Sequence, residues 1–307
     1  MRRSRTFCIE QYVRTRSICR QLERNASWRR LAVVVTTIAL LVACGSRTTP
    51  SAPTPPPIDL LPGFTLTGDP ASSAGATWTY QADVAGVRYD LQGILLKPQG
   101  SGPFPAVIIS HGAGGNVGGY SRSIARVMVG WGLVCIATNY THAGGVPIGS
   151  PGTSNEGGAS TANVQRARKV VDVLRALRYV DMNRLALHGH SLGAFVTIAT
   201  AGAHPDLFRA ASHTSGGIVP DFVPSVLGVA AATTSQAAGI RAAYQMHHGD
   251  RDFVVPLVAD QLFDSVLSSR GVPHELLVYP GAGHEDVAMN ATALDRIRMW
   301  YARQGMF

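Results

Sequence analysis

Between residues 106 and 279 the chain alternates short apolar, strand-like runs with segments of helical period, and this alternation restricts its fold more than any other feature. The runs are 106–109, 133–138, 184–188, 209–213, 242–247 and 275–279. Ala106-Val107-Ile108-Ile109 is apolar at every position, as in a strand covered on both faces. Strands joined through helices pair in parallel, so the pattern predicts a mostly parallel sheet with crossover helices. Upstream, residues 76–83 and 87–97 show partial alternation broken at Gly86, which predicts an antiparallel hairpin.

The clearest helix is 164–180. Val164, Ala167, Val170, Val171, Leu174 and Leu177 fall on one face, and Arg166, Arg168, Lys169, Arg175 and Arg178 fall mostly on the other, a stripe expected to be solvated. Residues 192–203, 256–269 and 287–303 are further helices, with Asp286 placed to cap the last and Glu285 beside it at the helix start. Residues 141–161 and 216–239 have no clean period and read as insertions over the carboxyl edge of the sheet, the edge at which open parallel sheets bind ligands.

The first 43 residues carry nine arginines and two glutamates of the 27 basic and 19 acidic residues in the chain, leaving 18 and 17 after them. The formal charge of +8 therefore belongs to the amino terminus, and the remainder is close to neutral. That balance argues against nucleic acid as a partner. Trp28-Arg29-Arg30 precedes a thirteen-residue apolar run, 31–43, too short for a comfortable membrane span, which ends in Leu41-Val42-Ala43-Cys44. The order of basic residues, apolar run and cysteine resembles a bacterial lipoprotein export signal, and the resemblance implies cleavage before Cys44 and lipidation of that residue. Residues 44–58, dominated by Ser, Thr and Pro, read as a tether, and residues 59–307 as one α/β domain. The expected location is extracytoplasmic, at the periplasm or cell surface, with the membrane reached through the lipid. Of the four cysteines, Cys8 and Cys19 would leave with the signal, and Cys135 sits alone in an apolar run, so no disulfide framework is expected.

Gly189-His190-Ser191-Leu192-Gly193 lies between the strand-like run 184–188 and the alanine-rich helical segment 192–203. In a glycine-rich chain the pentapeptide means little by itself, but at a sharp strand-to-helix turn it presents a serine hydroxyl above the sheet. A serine is barely nucleophilic at neutral pH and needs a histidine to take its proton and a carboxylate to orient that histidine. His284, in the loop Pro280-Gly281-Ala282-Gly283, and Asp252, in the loop after the run 242–247, can supply those roles. The order Ser, Asp, His is that of one particular hydrolase fold.

Four segments resemble the α/β-hydrolase superfamily, and within it dienelactone-hydrolase-like carboxylesterases: residues 102–112, the elbow at Ser191, His248-Gly249-Asp250-Arg251-Asp252-Phe253-Val254-Val255-Pro256, and Tyr279-Pro280-Gly281-Ala282-Gly283-His284. The resemblance covers nearly all of 76–307. It implies an α/β-hydrolase fold with a mostly parallel central sheet of about eight strands flanked by helices. It also puts the acid at Asp252, with Asp250 as its rival, and an oxyanion hole at the amides of Leu192 and Ala113, with Gly112 and Gly114 as neighbouring alternatives. His111 would brace that loop.

No cofactor is expected. Residues 112–119 are rich in glycine but lack a phosphate-loop lysine, and His247 and His248, adjacent on a strand, face opposite ways and cannot share a metal ion. Dienelactone hydrolases proper carry a cysteine nucleophile, so the serine favours ordinary ester hydrolysis of a small-molecule or lipid substrate. Phospholipid or platelet-activating-factor-type acyl hydrolysis, polyester (cutin-like) hydrolysis, peptidase activity, acyl transfer and a catalytically inactive cell-envelope binding module are the competing expectations.

Overall fold

The computed structural model describes residues 61–144, 157–223, 225–226 and 229–307. Cys44, the basic and apolar amino-terminal segment, the tether and most of the 141–161 insertion lie outside the described residues.

A nine-stranded sheet forms the centre, in the order β1-β2-β3-β5-β4-β6-β7-β10-β11. β1 (Phe64–Thr67), β2 (Ala76–Val84) and β3 (Val87–Leu96) are antiparallel, with the β2–β3 turn at Gly86. β3 pairs antiparallel with β5 (Val134–Thr138); from there β4 (Phe104–Ser110), β6 (Val180–His190), β7 (Ala210–Thr214), β10 (Ala243–Gly249) and β11 (His274–Tyr279) run parallel. The ninth strand is β1, four residues whose only ladder is to the hairpin behind it.

Strand alternation divides the core into two layers. Ala106 and Ile108 of β4, Val134 and Ile136 of β5, Leu185 and Leu187 of β6 and Tyr244 and Met246 of β10 point to one side. There they meet helices α2 (Thr161–Ala176), α3 (Leu192–Ala203) and α5 (Val258–Ser269). Val107, Ile109, Cys135, Ala137, Ala186 and Ala243 point to the other, against α1 (Tyr120–Val129) and α6 (Ala291–Arg303). The near-continuous apolar runs of the sequence are the consequence of this double coverage. The region 216–239 contains a small antiparallel ribbon, β8 (Ser225–Val226) with β9 (Val229–Ala230), and the one-turn helix α4 (Thr234–Ala238).

Three local expectations need correction. The helix expected at 164–180 begins at Thr161, where Ser160 accepts a bond from the Asn163 amide, and ends at Ala176 because Val180 already belongs to β6. Asp286 does not cap α6: that helix starts at Ala291 under Asn290, whose Oδ1 accepts the Ala293 amide, while residues 285–289 form turns and Asp286 binds the Gly283 amide. Arg166 is not on a solvated stripe. It is buried and its Nη1 donates to the Asp90 and Asn139 carbonyls, tying α2 to β3 and to the residue after β5, whereas Arg168, Lys169 and Arg175 converge on Asp172.

A buried polar chain runs along the α1/α6 face of the sheet through His188. Tyr301 donates to the Leu187 carbonyl, so its oxygen accepts from Ser212; Ser212 in turn accepts from His188 Nδ1, leaving Nε2 to accept from Tyr120, each bond 2.7–2.8 Å. His188 is therefore a neutral imidazole, and burial, reinforced by His190 and His213, brings its pKa down to about 3. Burial and then the neighbouring His111 do the same to His142, also to about 3. Both groups take up a proton in the unfolded chain near the ordinary value of about 6.5. Below that pH the unfolded state binds more protons, so their stability contribution, complete above it, is lost as pH falls towards 3. Each costs about 1.4 kcal/mol per pH unit. Thermal melts are expected to show a steep fall in Tm between pH 6.5 and 4.5; a flat Tm over that range would refute neutral burial of these histidines.

Candidate active site

The carboxyl ends of β4, β6, β10 and β11 share one edge of the sheet, and the loops that leave them bring the predicted residues together. Ser191 follows β6 directly with φ 55° and ψ −121°, a left-handed backbone that a side chain rarely adopts. Its amide donates to the Thr214 carbonyl at 3.1 Å. The flanking glycines are needed for space: a Cβ at Gly189 would overlap the Gly193 carbonyl, and one at Gly193 would overlap the carbonyls of Ser110 and His111. Any side chain at either position would drive α3 off β6 and β4.

His284 Nε2 lies 2.9 Å from Ser191 Oγ, and its Nδ1 lies 2.7 Å from Asp252 Oδ2. The other oxygen, Oδ1, accepts the amides of Val254 and Val255 at 2.9 Å each, so the fully buried carboxylate is held in one orientation. Asp250, the rival acid, is exposed and accepts the Gly281 amide at 2.7 Å, closing the turn that carries His284. Ser215, itself at φ 53°, donates its hydroxyl to the His284 carbonyl at 2.7 Å and so fixes the backbone beneath the imidazole.

The loop after β4 is braced as expected and by more than was expected. The Tyr140 amide donates to His111 Nε2, which leaves Nδ1–H for the Gly112 carbonyl. His142 Nε2 donates to the His111 carbonyl, and its Nδ1 accepts the Gly158 amide with Asn163 Nδ2 close by at 3.4 Å. The Gly114 amide is taken by the His142 carbonyl and the Gly115 amide by that of Gly112. Among the described residues no acceptor takes the amides of Ala113 or Leu192, the two donors named from sequence. Gly112 is set close behind the serine, where an added Cβ would sit 3.2 Å from Ser191 Cβ.

His142 and Asn163 were missed by the sequence reading. His142 falls in a glycine-rich stretch taken as a bare insertion, and Asn163 lies in the first turn of α2 one residue before its apolar face; a polar asparagine adjoining that face was the available signal, and its burial shows only in the structure.

His190, the residue before Ser191 in the elbow, is buried with Nδ1 2.9 Å from Thr214 Oγ1 and its ring 5.2 Å from that of His284. Burial lowers its pKa, with Glu285, 3.3 Å from Nε2, acting the other way. One donor atom from each of His190, His284 and Glu285 lies within 4.8 Å of the others. Both ring nitrogens of His284 are already engaged, by Ser191 and Asp252, so this trio is not a preformed metal cradle.

A parallel sheet with helices on both faces, a serine on a strained strand-to-helix turn and a histidine and aspartate on the last two loops define an α/β-hydrolase. The sequence profile of the dienelactone hydrolase family matches residues 91–292, and the chain belongs to that family. It is a carboxylic ester hydrolase by that membership. No curated protein matches the sequence. Among solved structures, the apo form of Thermogutta terrifontis esterase 2 is 18% identical, with a TM-score of 0.57–0.58 across its several structures; the apo match covers 82% of this chain and 98% of the other. A dienelactone hydrolase structure from Klebsiella pneumoniae subsp. pneumoniae is 20% identical over 74% of this chain and 98% of its own, at a TM-score of 0.58. Porphyromonas gingivalis dipeptidyl peptidase 4 is 15% identical, TM-score 0.56, over 75% of this chain; the chain spans about a third of its length, 35%. At these identities the likeness is one of fold.

Proposed function

We propose that this chain hydrolyses carboxylic esters through an acyl-enzyme on Ser191, with His284 as general base and acid and Asp252 orienting it. The two bonds of His284, 2.9 Å to Ser191 Oγ and 2.7 Å to Asp252 Oδ2, carry the reading. Ser191 Oγ attacks the ester carbonyl as its proton passes to His284 Nε2, and the Leu192 and Ala113 amides receive the developing oxyanion. Collapse expels the alcohol, which takes the proton from His284. Water then adds to the acyl-enzyme, again giving its proton to His284, and the carboxylic acid leaves with Ser191 restored. The organophosphate adducts formed by Thermogutta terrifontis esterase 2, phosphonylated by cyclosarin and phosphorylated by paraoxon, belong to that protein and suggest the probe for this one.

The substrate is an ester with an apolar acyl group. In the segment that follows Asp252 the chain exposes Phe253 (91%), Val254 (69%) and Val258 (65%), apolar surface on the same loop as the acid and the helix it leads into. The same surface favours a second reading, in which the enzyme works on aggregated esters: phospholipid or platelet-activating-factor-type lipids, or a polyester such as cutin. Export and lipid attachment at Cys44, in the periplasm or at the cell surface, would put the enzyme where such substrates occur, and Leu41-Val42-Ala43-Cys44 is the feature that motivates it.

Hydrolysis of p-nitrophenyl acetate, butyrate, octanoate and palmitate tests both. Turnover of the esters, with no cleavage of dipeptidyl p-nitroanilides, is expected; a rate that rises as the longer esters pass their solubility limit favours aggregated substrates. Anilide cleavage without ester turnover would overturn the esterase reading.

A further inference from the structure

Behind Asp252 lies a second histidine that the proposed hydrolysis does not use. His248, on β10, has a side chain with no solvent exposure, and both of its ring nitrogens face acceptors. Nε2 is 2.8 Å from the Val255 carbonyl and 3.4 Å from Asp252 Oδ2, the same oxygen that binds His284. Nδ1 is 2.8 Å from Asp260 Oδ2. A carbonyl can only accept, so Nε2 carries a proton; an ionised carboxylate can only accept, so Nδ1 carries one as well. Asp260 is also bonded by His213 Nε2, at 2.9 Å, and has no exposure of its own.

Two carboxylates, Asp252 and Asp260, are thus buried within one residue's reach of each other's partner, and neither has a lysine or arginine beside it among the bonds described. Burying both as anions without a fixed cation would be prohibitive. We propose that His248 is a permanently protonated positioning residue, an imidazolium clamped between Asp252 and Asp260 that holds Asp252 ionised and aimed at His284. This rests on the reading of Asp252 and His284 as catalytic.

The remaining chemistry agrees. Burial by itself would lower the pKa of His248, yet the bond to and charge of Asp260 outweigh it and the net direction is upward. Burial would likewise raise Asp260, yet His213 and His248 together hold it at about 2. The titratable groups facing His248 are Asp260 from α5 and Asp252 from the loop after β10. His213 of β7 reaches it only through Asp260, and His284 only through Asp252. His247, next along the strand, points the other way, to Tyr279 and Gln245. An ordinary structural ion pair would be satisfied by Asp260 alone; the contact with Asp252 Oδ2 is what couples the pair to the reaction.

The test has two arms. In the first, the ring nitrogens of His248 are observed by ¹⁵N NMR in the intact Ser191→Ala protein, with through-bond assignment. Both nitrogens are expected to remain protonated at pH 8, and an unprotonated nitrogen there would overturn the proposal whatever the protein catalyses. In the second, His248→Asn and Asp260→Asn are compared with the unaltered protein in ester hydrolysis. A 10- to 100-fold loss of kcat with KM within about twofold is expected, and the acid side of the activity profile should move up by roughly one pH unit, the size set by a charge a few ångströms away through a partly screened interior. Loss of the cation leaves the Asp252–His284 pair holding its proton more firmly, which fixes the direction. Asp260→Asn gives the same reading if His248→Asn fails to fold, because an amide does not stabilise the second proton. Unchanged kcat and an unmoved acid limb in a folded variant would refute the positioning role. If Ser191→Ala proves fully active, the triad reading fails instead, and the NMR arm still decides the charge.

Discussion

Ser191→Ala is expected to lower kcat/KM for p-nitrophenyl butyrate by roughly 10⁴- to 10⁶-fold while the protein stays folded. The size of the loss follows from what is removed. Without Oγ there is no atom 2.9 Å from His284 Nε2 to attack the carbonyl, and attack must come from an unpositioned water. The proposed oxyanion donors at Leu192 and Ala113 are untouched by the substitution, so a residual rate over the uncatalysed reaction is expected. Alanine suits the test because it keeps a Cβ at the strained φ of 55°, so the elbow is neither relaxed nor further crowded. Steady-state kinetics checked by a thermal melt decide it; a loss below tenfold would mean that Ser191 is not the nucleophile.

The second large effect separates two aspartates two residues apart. Asp252→Asn is expected to reduce kcat by about 10³- to 10⁴-fold, because an amide at that position stabilises neither the tautomer nor the charge of His284 that the reaction needs. Asp250→Asn is expected to stay within a few-fold of the unaltered enzyme. Its carboxylate accepts only the Gly281 amide at the surface, a bond that the asparagine oxygen can replace. The reverse result, a crippled Asp250→Asn beside an active Asp252→Asn, would move the acid to Asp250 and break the geometric account.

Much of the site was legible because its chemistry imposes local sequence. The elbow serine needs glycine on both sides for steric reasons confined to a few neighbouring residues, so Gly189 and Gly193 mark it in the sequence, and α3 begins and ends at Leu192 and Ala203 as its alanine-rich composition predicts. The double coverage of the sheet was readable from the unbroken apolarity of Ala106-Val107-Ile108-Ile109 for a similar reason.

What escaped depends on long-range pairing. β1 is four residues with no strong pattern, and within the sheet it pairs with β2 alone. Arg166 shares the helical spacing of exposed arginines and is buried because two backbone carbonyls from distant parts of the chain, at Asp90 and Asn139, are presented to it. Asp286 and Asn290 are both good cap residues; the choice fell to Asn290 because residues 285–289 form turns and the Asp286 carboxylate is taken by the Gly283 amide, leaving Asn290 to accept the Ala293 amide. The sequence reading placed His247 and His248 on opposite faces, but nothing local announces that His248 meets Asp260 from a helix ten residues further on.

The central claim, that Ser191 is a nucleophile activated by His284, is tested most directly by treating the purified protein with paraoxon and measuring its intact mass and peptides. One diethylphosphoryl group per chain, on the peptide containing Ser191, absent from Ser191→Ala and strongly slowed in His284→Ala, is the predicted result. A folded, unaltered protein that takes up no label, or takes it up at another residue with Ser191 untouched, would contradict the account.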